Sequence, residues 1–308
     1  AYQAALGYTQ ERLQGSDIRS FGDADAPKVP IIKHPDVRMM LMKQKAYVEG
    51  MRALVLYTAY AEDMTHVTEG MERDKWDGMV QILTPICKSY CTDTGFRMTE
   101  IAMQCFGGYG YIKEYPAEQY LRDSKIASIY EGTNGIQAMD LVGRKLGMNR
   151  GMNLMNLAGE ITKTVDMFKE HPVLKDQAAA LGKARDVWGQ VNMYFINAGM
   201  QKQFMTPLVN AANYLNMSGD LLMAHFLLRQ AGIACEKLAA MCAEAGVDAA
   251  DPKAVRALAK ENPDARYYDG KIKTAMYYCA YELPQVAAKG SAIQAGDMSA
   301  MYMLFADE

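Results

Sequence analysis

One acidic side chain stands out by its surroundings. Glu131 follows Tyr130 and precedes Gly132, Thr133 and Asn134, so a helical run stops, a tight bend follows and a second helical run begins. A carboxylate in such a bend can point into a cavity instead of lying along a solvated helix face. There it can act as a general base toward a proton of a bound substrate. A second feature is a glycine cluster. Phe106-Gly107-Gly108-Tyr109-Gly110-Tyr111 holds three glycines in four positions, which permits positive φ and close approach by another group. Arg12 lies near the end of the first helical run, where a cation is favoured by the helix dipole. The chemistry expected of Glu131 is proton abstraction from a bound substrate, and the chain reads as part of an enzyme.

The elements that must position these residues are helical. The first run covers residues 1–14 and leads into a polar loop, residues 16–33, containing Gly22, Pro27 and Pro30. Pro35 suits the first turn of a new helix, where its missing N–H costs little. Val37, Leu41, Val48, Met51 and Val55 then recur at helical spacing to about residue 70. A helix over residues 75–105 follows, with Pro85 expected to kink it. Residues 116–129 form a shorter helix that delivers Glu131. Asn134 with Gln137 three positions on resembles a capping box, and a helix continues to about residue 146. Past Gly147 and Gly151, helices are expected at 152–169, 175–200, 206–245 and 264–289, with a turn at 247–252. The final segment, from Met298 to Glu308, is apolar in part and suits either packing back or an interface. No strand-like alternation is visible. The fold class is therefore all-α, with two helical bundles in tandem, residues 1–148 and 149–308.

Bulk properties exclude several function classes. The 308 residues are half hydrophobic and carry a net charge of −3, so a sizeable core can form and no phosphate-binding basic surface is indicated. No apolar run reaches the roughly 18 residues that span a bilayer. The six cysteines show no CxxC pairing and read as reduced, buried thiols of a cytoplasmic compartment. Asp63 and His66 are spaced like half of a di-iron helix motif. No second copy exists, so no metal site is expected. His34, His171 and His225 are scattered, and the methionine stripes read as flexible core packing. Arg122 and Asp123 read as an ion pair on a helix face. The chain opens at Ala1 within a helical run, which is expected of a piece of a longer protein.

Three blocks resemble the acyl-CoA dehydrogenase family of flavoenzymes. They are Glu11-Arg12-Leu13-Gln14-Gly15 with Pro30-Ile31, then Gln104-Cys105-Phe106-Gly107-Gly108-Tyr109-Gly110-Tyr111, then Arg122-Asp123-Ser124-Lys125 through Ile129-Tyr130-Glu131-Gly132-Thr133 and Gln137. Their order suits the family's C-terminal four-helix-bundle-type domain over residues 1–148. Residues 149–308 resemble the additional helical domain of longer bacterial members, such as the 3-methylthiopropanoyl-CoA dehydrogenase-like group.

The resemblance implies an FAD-dependent α,β-dehydrogenation of an acyl-CoA thioester. Glu131 matches the base that removes the α-proton, and its backbone N–H would polarise the thioester carbonyl. Tyr130 and Gly132 match substrate-side positions. Thr133 and Gln137 match flavin contacts. Arg12 matches an arginine at the FAD pyrophosphate of a neighbouring subunit, while Gln104, Gly107 and Gly108 match the segment around the adenosine end. A homodimer or tetramer and transfer of electrons to an electron transfer flavoprotein are implied as well. The family's flavin-contacting phenylalanine would correspond to Phe21, but an insertion after Gly15 interrupts that motif. Two other readings stand beside this one: an oxidase-type relative that uses oxygen, and a helical interaction module without catalysis. The acyl chain is not legible, because much of the expected pocket belongs to domains absent from this sequence. For the same reason the chain alone is expected to hold FAD weakly or not at all and to be inactive.

Overall fold

The structure is a computed structural model that describes residues 1–20 and 22–305. Phe21 lies outside the described residues. Thirteen α-helices are present among them: α1 (Tyr2–Glu11), α2 (Pro35–Val67), α3 (Gly70–Cys105), α4 (Ala117–Lys125), α5 (Asn134–Gly143), α6 (Met152–Phe168), α7 (Lys175–Met200), α8 (Met205–Val209), α9 (Ala211–Glu244), α10 (Pro252–Glu261), α11 (Pro263–Tyr281), α12 (Gln285–Gln294) and α13 (Ser299–Tyr302). The all-α class holds, with one departure. Leu13–Ser16 (β1) and Lys28–Pro30 (β2) pair antiparallel, Leu13 opposite Pro30. The loop expected at 16–33 is thus closed at its base by a short ribbon. Strands this short leave no readable alternation in the sequence.

Three long helices organise the molecule. At 1.5 Å per residue, α2, α3 and α9 are each about 50 Å long. The turn between α2 and α3 contains only Thr68 and Glu69, and α3 starts on Gly70 with φ 59°. A glycine costs little in that left-handed conformation. Pro85 does not end α3, which runs unbroken past it with Pro85 buried.

The long runs expected near the end are subdivided, each for a local reason. Asn210 separates α8 from α9. Its side-chain Nδ2 donates to Thr206 O (3.0 Å), taking the carbonyl that the helical ladder would use. Pro284 has no N–H to continue α11, so the chain turns there and α12 begins. The helix α10 follows the turn expected at 247–252 and fills a stretch to which the sequence reading assigns no element: Asp251 Oδ1 accepts from Lys253 N (2.8 Å) and Pro252 occupies the first turn.

One apolar core extends from Ala46 to Ile293. Leu54, Met79, Ile82 and Leu83 share it with Leu181, Leu222 and Tyr278. A smaller core joins α1 to the adjoining ends of α2, α3 and α4 through Ala5, Val37, Leu41, Ala102 and Phe106. Within the large core lies a buried polar network. Tyr90 Oη donates to Asp220 Oδ1 (2.6 Å), Tyr278 Oη donates to Asp220 O (3.1 Å), and Lys289 Nζ pairs with Asp220 Oδ2. Nearby, Tyr47 Oη donates to Glu282 Oε2 (2.9 Å), which also pairs with Lys43 (3.1 Å). A buried carboxylate needs such partners to stay in an apolar interior. Burial still pushes the Asp220 carboxyl up from the usual range, with Lys289 opposing it.

Candidate functional site

The bend at Glu131 is built by backbone strain and held by α3. Glu131 has φ 53° and Gly132 has φ 83°. A left-handed pair turns the chain sharply, and the non-glycine member stays there only where its surroundings impose it. The restraint comes from Lys88, whose Nζ donates to Gly132 O (2.7 Å) and to Asn134 Oδ1 (2.9 Å). Asn134 Nδ2 donates in turn to Ser89 O (3.2 Å) and Thr92 Oγ1 (3.0 Å). Thr133 caps α5, its Oγ1 accepting from Ile136 N (3.4 Å). The cap is therefore Thr133, one residue before the Asn134 expected, and the Asn134–Gln137 capping box does not form. Asn134 is instead drawn sideways onto α3. Gln137 lies over the bend, its Nε2 3.3 Å from where a Cβ on Gly132 would stand.

The Glu131 side chain is exposed, and this corrects the expected cavity. Tyr130, Gly132 and Thr133 are exposed with it, and Glu131 lines neither the cavity beside Arg12 nor the one between α6 and α7. The side chains around it are apolar. Ile126, Ile129, Tyr130, Ile136 and Met139 each leave 44 to 54% of their surface in solvent. The carboxylate thus sits on an open apolar rim, and its backbone N–H has no hydrogen-bond partner among the described residues.

The remaining candidates gather elsewhere. Arg12, Gln104, Gly107 and Gly108 line one cavity of about 900 Å³ between α1, β1 and the end of α3. Arg12 closes α1, its N–H donating to Tyr8 O (2.9 Å), while its guanidinium lies 5.3 Å from the centre of the Tyr109 ring. No carboxylate pairs with it among the described residues. The three glycines differ in role. Gly107 has φ 59°, and an added Cβ on Gly107 or Gly108 would meet nothing within 4 Å, whereas one on Gly110 would lie 2.4 Å from Met103 O. Gly110 lets the turn pack, and the other two leave the cavity floor open. A helical rise of 1.5 Å puts this cavity about 20 Å along α3 from the Lys88–Thr92 anchor of the bend. The structure therefore brings the site residues together in two groups, not one.

Sequence reasoning missed the anchors. Lys88, Ser89 and Thr92 read as an ordinary helix surface, and only the bend's demand for donors and acceptors reveals them. His34 was scattered in sequence but lines the cavity, where Nε2 donates to Gln14 O (2.7 Å) and ties β1 to α2. Arg122 pairs with Glu118, four residues back (2.7 Å), and not with the expected Asp123, because one helical turn aligns the first pair on the same face. His66 faces Glu62 (3.6 Å). His171 Nδ1 accepts from Val173 N and Leu174 N at the start of α7. All six cysteines are free thiols. No helix among the described residues is long and apolar enough to cross a membrane.

Comparison with known proteins places this arrangement. The family model "Acyl-CoA dehydrogenase, C-terminal domain" matches residues 18–166, and "Acetyl-CoA dehydrogenase C-terminal like" matches residues 157–303. Broad-specificity linear acyl-CoA dehydrogenase FadE5 of Mycobacterium tuberculosis is 34% identical over 307 residues, covering 97% of this chain and 47% of that protein. 3-Methylmercaptopropionyl-CoA dehydrogenase of Ruegeria pomeroyi is 31% identical over 295 residues, 95% of this chain and 46% of that protein. A solved acyl-CoA dehydrogenase from Bacillus anthracis, complexed with FAD, shares the fold with a TM-score of 0.63 at 17% identity, over 97% of this chain and 47% of that one. The chain thus spans about half the length of the relatives it matches. It belongs to the acyl-CoA dehydrogenase family, as a C-terminal helical part of that family's longer members.

Proposed function

We propose that this chain carries the base and part of the cofactor site of an FAD-dependent acyl-CoA dehydrogenase. Residues 1–148 serve as the family's C-terminal helical domain and residues 149–308 as an additional one. The observation that carries the reading is the left-handed Glu131–Gly132 pair, clamped by Lys88 and set on an exposed apolar rim. Such a rim suits an acyl chain and the half of the enzyme that lies outside this sequence, which together would enclose it.

The residues present fit FAD. Arg12 offers a cation with no carboxylate partner among the described residues to a pyrophosphate, Gly107 and Gly108 leave room for close approach, and Gln104 offers an amide to the adenosine end. Thr133 and Gln137 lie at the bend for the flavin end. When bound, FAD supplies the acceptor for the β-hydride. The chain's own work is the other half of the reaction. Glu131 takes the α-proton, becoming a neutral acid as the substrate's carbon releases it. The free Glu131 N–H donates to the thioester carbonyl oxygen as negative charge builds there, and one such donor is worth about 3 kcal/mol. Tyr130 and Gly132 flank the acyl chain. Arg12 and Gln104 stand about 20 Å along α3 from the bend, and on the family resemblance one copy's cavity and another copy's bend serve one flavin, in a homodimer or a pair of dimers. Electrons then pass to an electron transfer flavoprotein, in a cytoplasmic setting.

The test is Glu131→Gln in the enzyme restored to the length of its relatives. Loss of acyl-CoA-dependent flavin bleaching by at least a thousandfold, with FAD still bound, is the expected result. Unchanged bleaching would remove Glu131 as the base.

A further inference from the structure

The chain's last described segment is an apolar run that lies largely in solvent. Met301, Tyr302, Met303, Leu304 and Phe305 are five consecutive large apolar residues, and each is 50 to 79% exposed. Isolated exposed hydrophobes are ordinary, but a contiguous run of this size marks an interaction surface. Gly296 turns with φ 67°, its Cα packed so that an added Cβ would lie 3.1 Å from Tyr194 Oη. Asp297 then closes a turn ahead of α13, Oδ1 accepting from Ser299 N (3.2 Å) and Oδ2 from Ser299 Oγ (2.6 Å).

A matching groove begins at the same place. A cavity of about 900 Å³ runs between α6 and α7, lined by Leu154, Met155, Ala158, Trp188, Met193 and Tyr194, and Gln294 of α12 closes one end. Its floor is settled: Trp188 Nε1 donates to Ser218 Oγ (2.9 Å) and Tyr214 Oη donates to Asn192 Oδ1 (2.6 Å). What remains open is apolar over most of its area, with Met155 and Met193 as side chains that adapt to whatever fills the gap, beside the polar Arg185, Asp186, Gln190 and Asn197. The lengths agree. From Ser299 to Phe305 the arm reaches about 16 Å, counting 1.5 Å per helical and 3.3 Å per extended residue, and the groove from Leu154 to Thr162 follows about 12 Å of α6.

We infer that the arm of one copy docks in the α6–α7 groove of a second copy, in a reciprocal exchange. Tyr194 belongs to the groove and also packs against Gly296 at the arm's root. A two-fold axis beside Tyr194 would therefore set each root next to the other copy's groove, as an isologous contact requires. The area suffices. With about 80 Å² exposed per side chain, an arm contributes about 400 Å² and a groove about 200 Å², so two arms with two grooves bury about 1,200 Å², the lower end of specific interfaces.

Disulfide trapping between differently sized copies tests this. One copy carries Leu304→Cys only, and the other carries Met155→Cys only, with Met193→Cys as the alternative if helical content falls. The native thiols are poor competitors, since burial pushes Cys87 and Cys235 up to about 11 and Cys91 up to about 12. The expected result is a mixed disulfide between the two sizes under mild oxidation. Leu304→Asp combined with Phe305→Asp should raise the dimer dissociation constant at least tenfold by sedimentation, with unchanged circular dichroism. Absence of the mixed product overturns the inference. So does a chain bearing both cysteines that closes only on itself at every dilution, or a dissociation constant indifferent to the two aspartates.

Discussion

Tyr90 Oη lies 2.6 Å from Asp220 Oδ1, a contact between residues 130 positions apart that fastens α3 to α9 inside the core. The second carboxylate oxygen pairs with Lys289, and Gly219 makes room for the Tyr90 ring, since a Cβ there would stand 2.1 Å from Cδ2. A double-mutant cycle follows from this. Asp220→Asn leaves Lys289 without its counter-charge and is expected to cost about 3 to 5 kcal/mol. Tyr90→Phe leaves one carboxylate oxygen without its donor and should cost about 1 to 3 kcal/mol. In urea unfolding the double variant should lose less than the two single losses combined, because the groups share one network.

Lys88 is expected to matter more for catalysis than for folding. It is half-buried and donates to two acceptors of the bend. Lys88→Met removes both donors and lets the left-handed pair relax. In the enzyme of full family length, kcat should fall at least tenfold while the midpoint of thermal unfolding shifts by only a few degrees. An arginine at the same place should restore part of the rate. A large loss of stability with kcat intact would refute this assignment.

Gly132 faces two separate obstacles to substitution. Its φ of 83° disfavours any side chain, and a new methyl would press against Gln137 Nε2 at 3.3 Å. Gly132→Ala should cost about 1 to 3 kcal/mol. Adding Gln137→Ala should recover only the steric share, so the pair should remain less stable than Gln137→Ala alone when compared by chemical denaturation.

His225 gives the fold an acid-sensitive point. It is fully buried in α9, its Nδ1 has no hydrogen-bond partner, and burial with the nearby Arg229 pulls its pKa down to about 3 from 6.5, while Glu160 pulls the other way. A depressed folded-state pKa means that the unfolded chain binds the proton first as pH falls. Stability from the neutral ring is therefore full above about 6.5 and is lost progressively toward about 3, on the order of 4 kcal/mol in all. Comparing unfolding free energies of wild type and His225→Leu between pH 7 and pH 3 should show a shallower decline for the variant. Parallel declines would remove His225 as a contributor.

Much of this architecture was readable because it rests on local rules. Pro35 before a run of helical spacing, and Asn134 to Leu141 after a bend, mark helix starts without any tertiary knowledge. The same rules, applied to residues 251–261, contain a cap, a proline and an amphipathic face, so α10 was within reach. The β1–β2 ribbon was not, since seven residues cannot show a period, and the pairing depends on long-range approach of Leu13 to Pro30. The Glu131 bend could be located but not its environment. Whether a side chain is enclosed depends on elements far away in sequence, and here the apolar rim remains open along this face. Lys88 was silent for a related reason: a lysine on a helix looks solvated until the carbonyl it serves is seen beside it.

The shared interior also bears on how such chains diverge. Tyr47 and Tyr90 on the early helices donate to Glu282, just past the end of α11, and to Asp220 on α9. Transplanting the late helices from a relative is thus a graft through sealed packing, and lineages must alter both sides in step or keep them as they are.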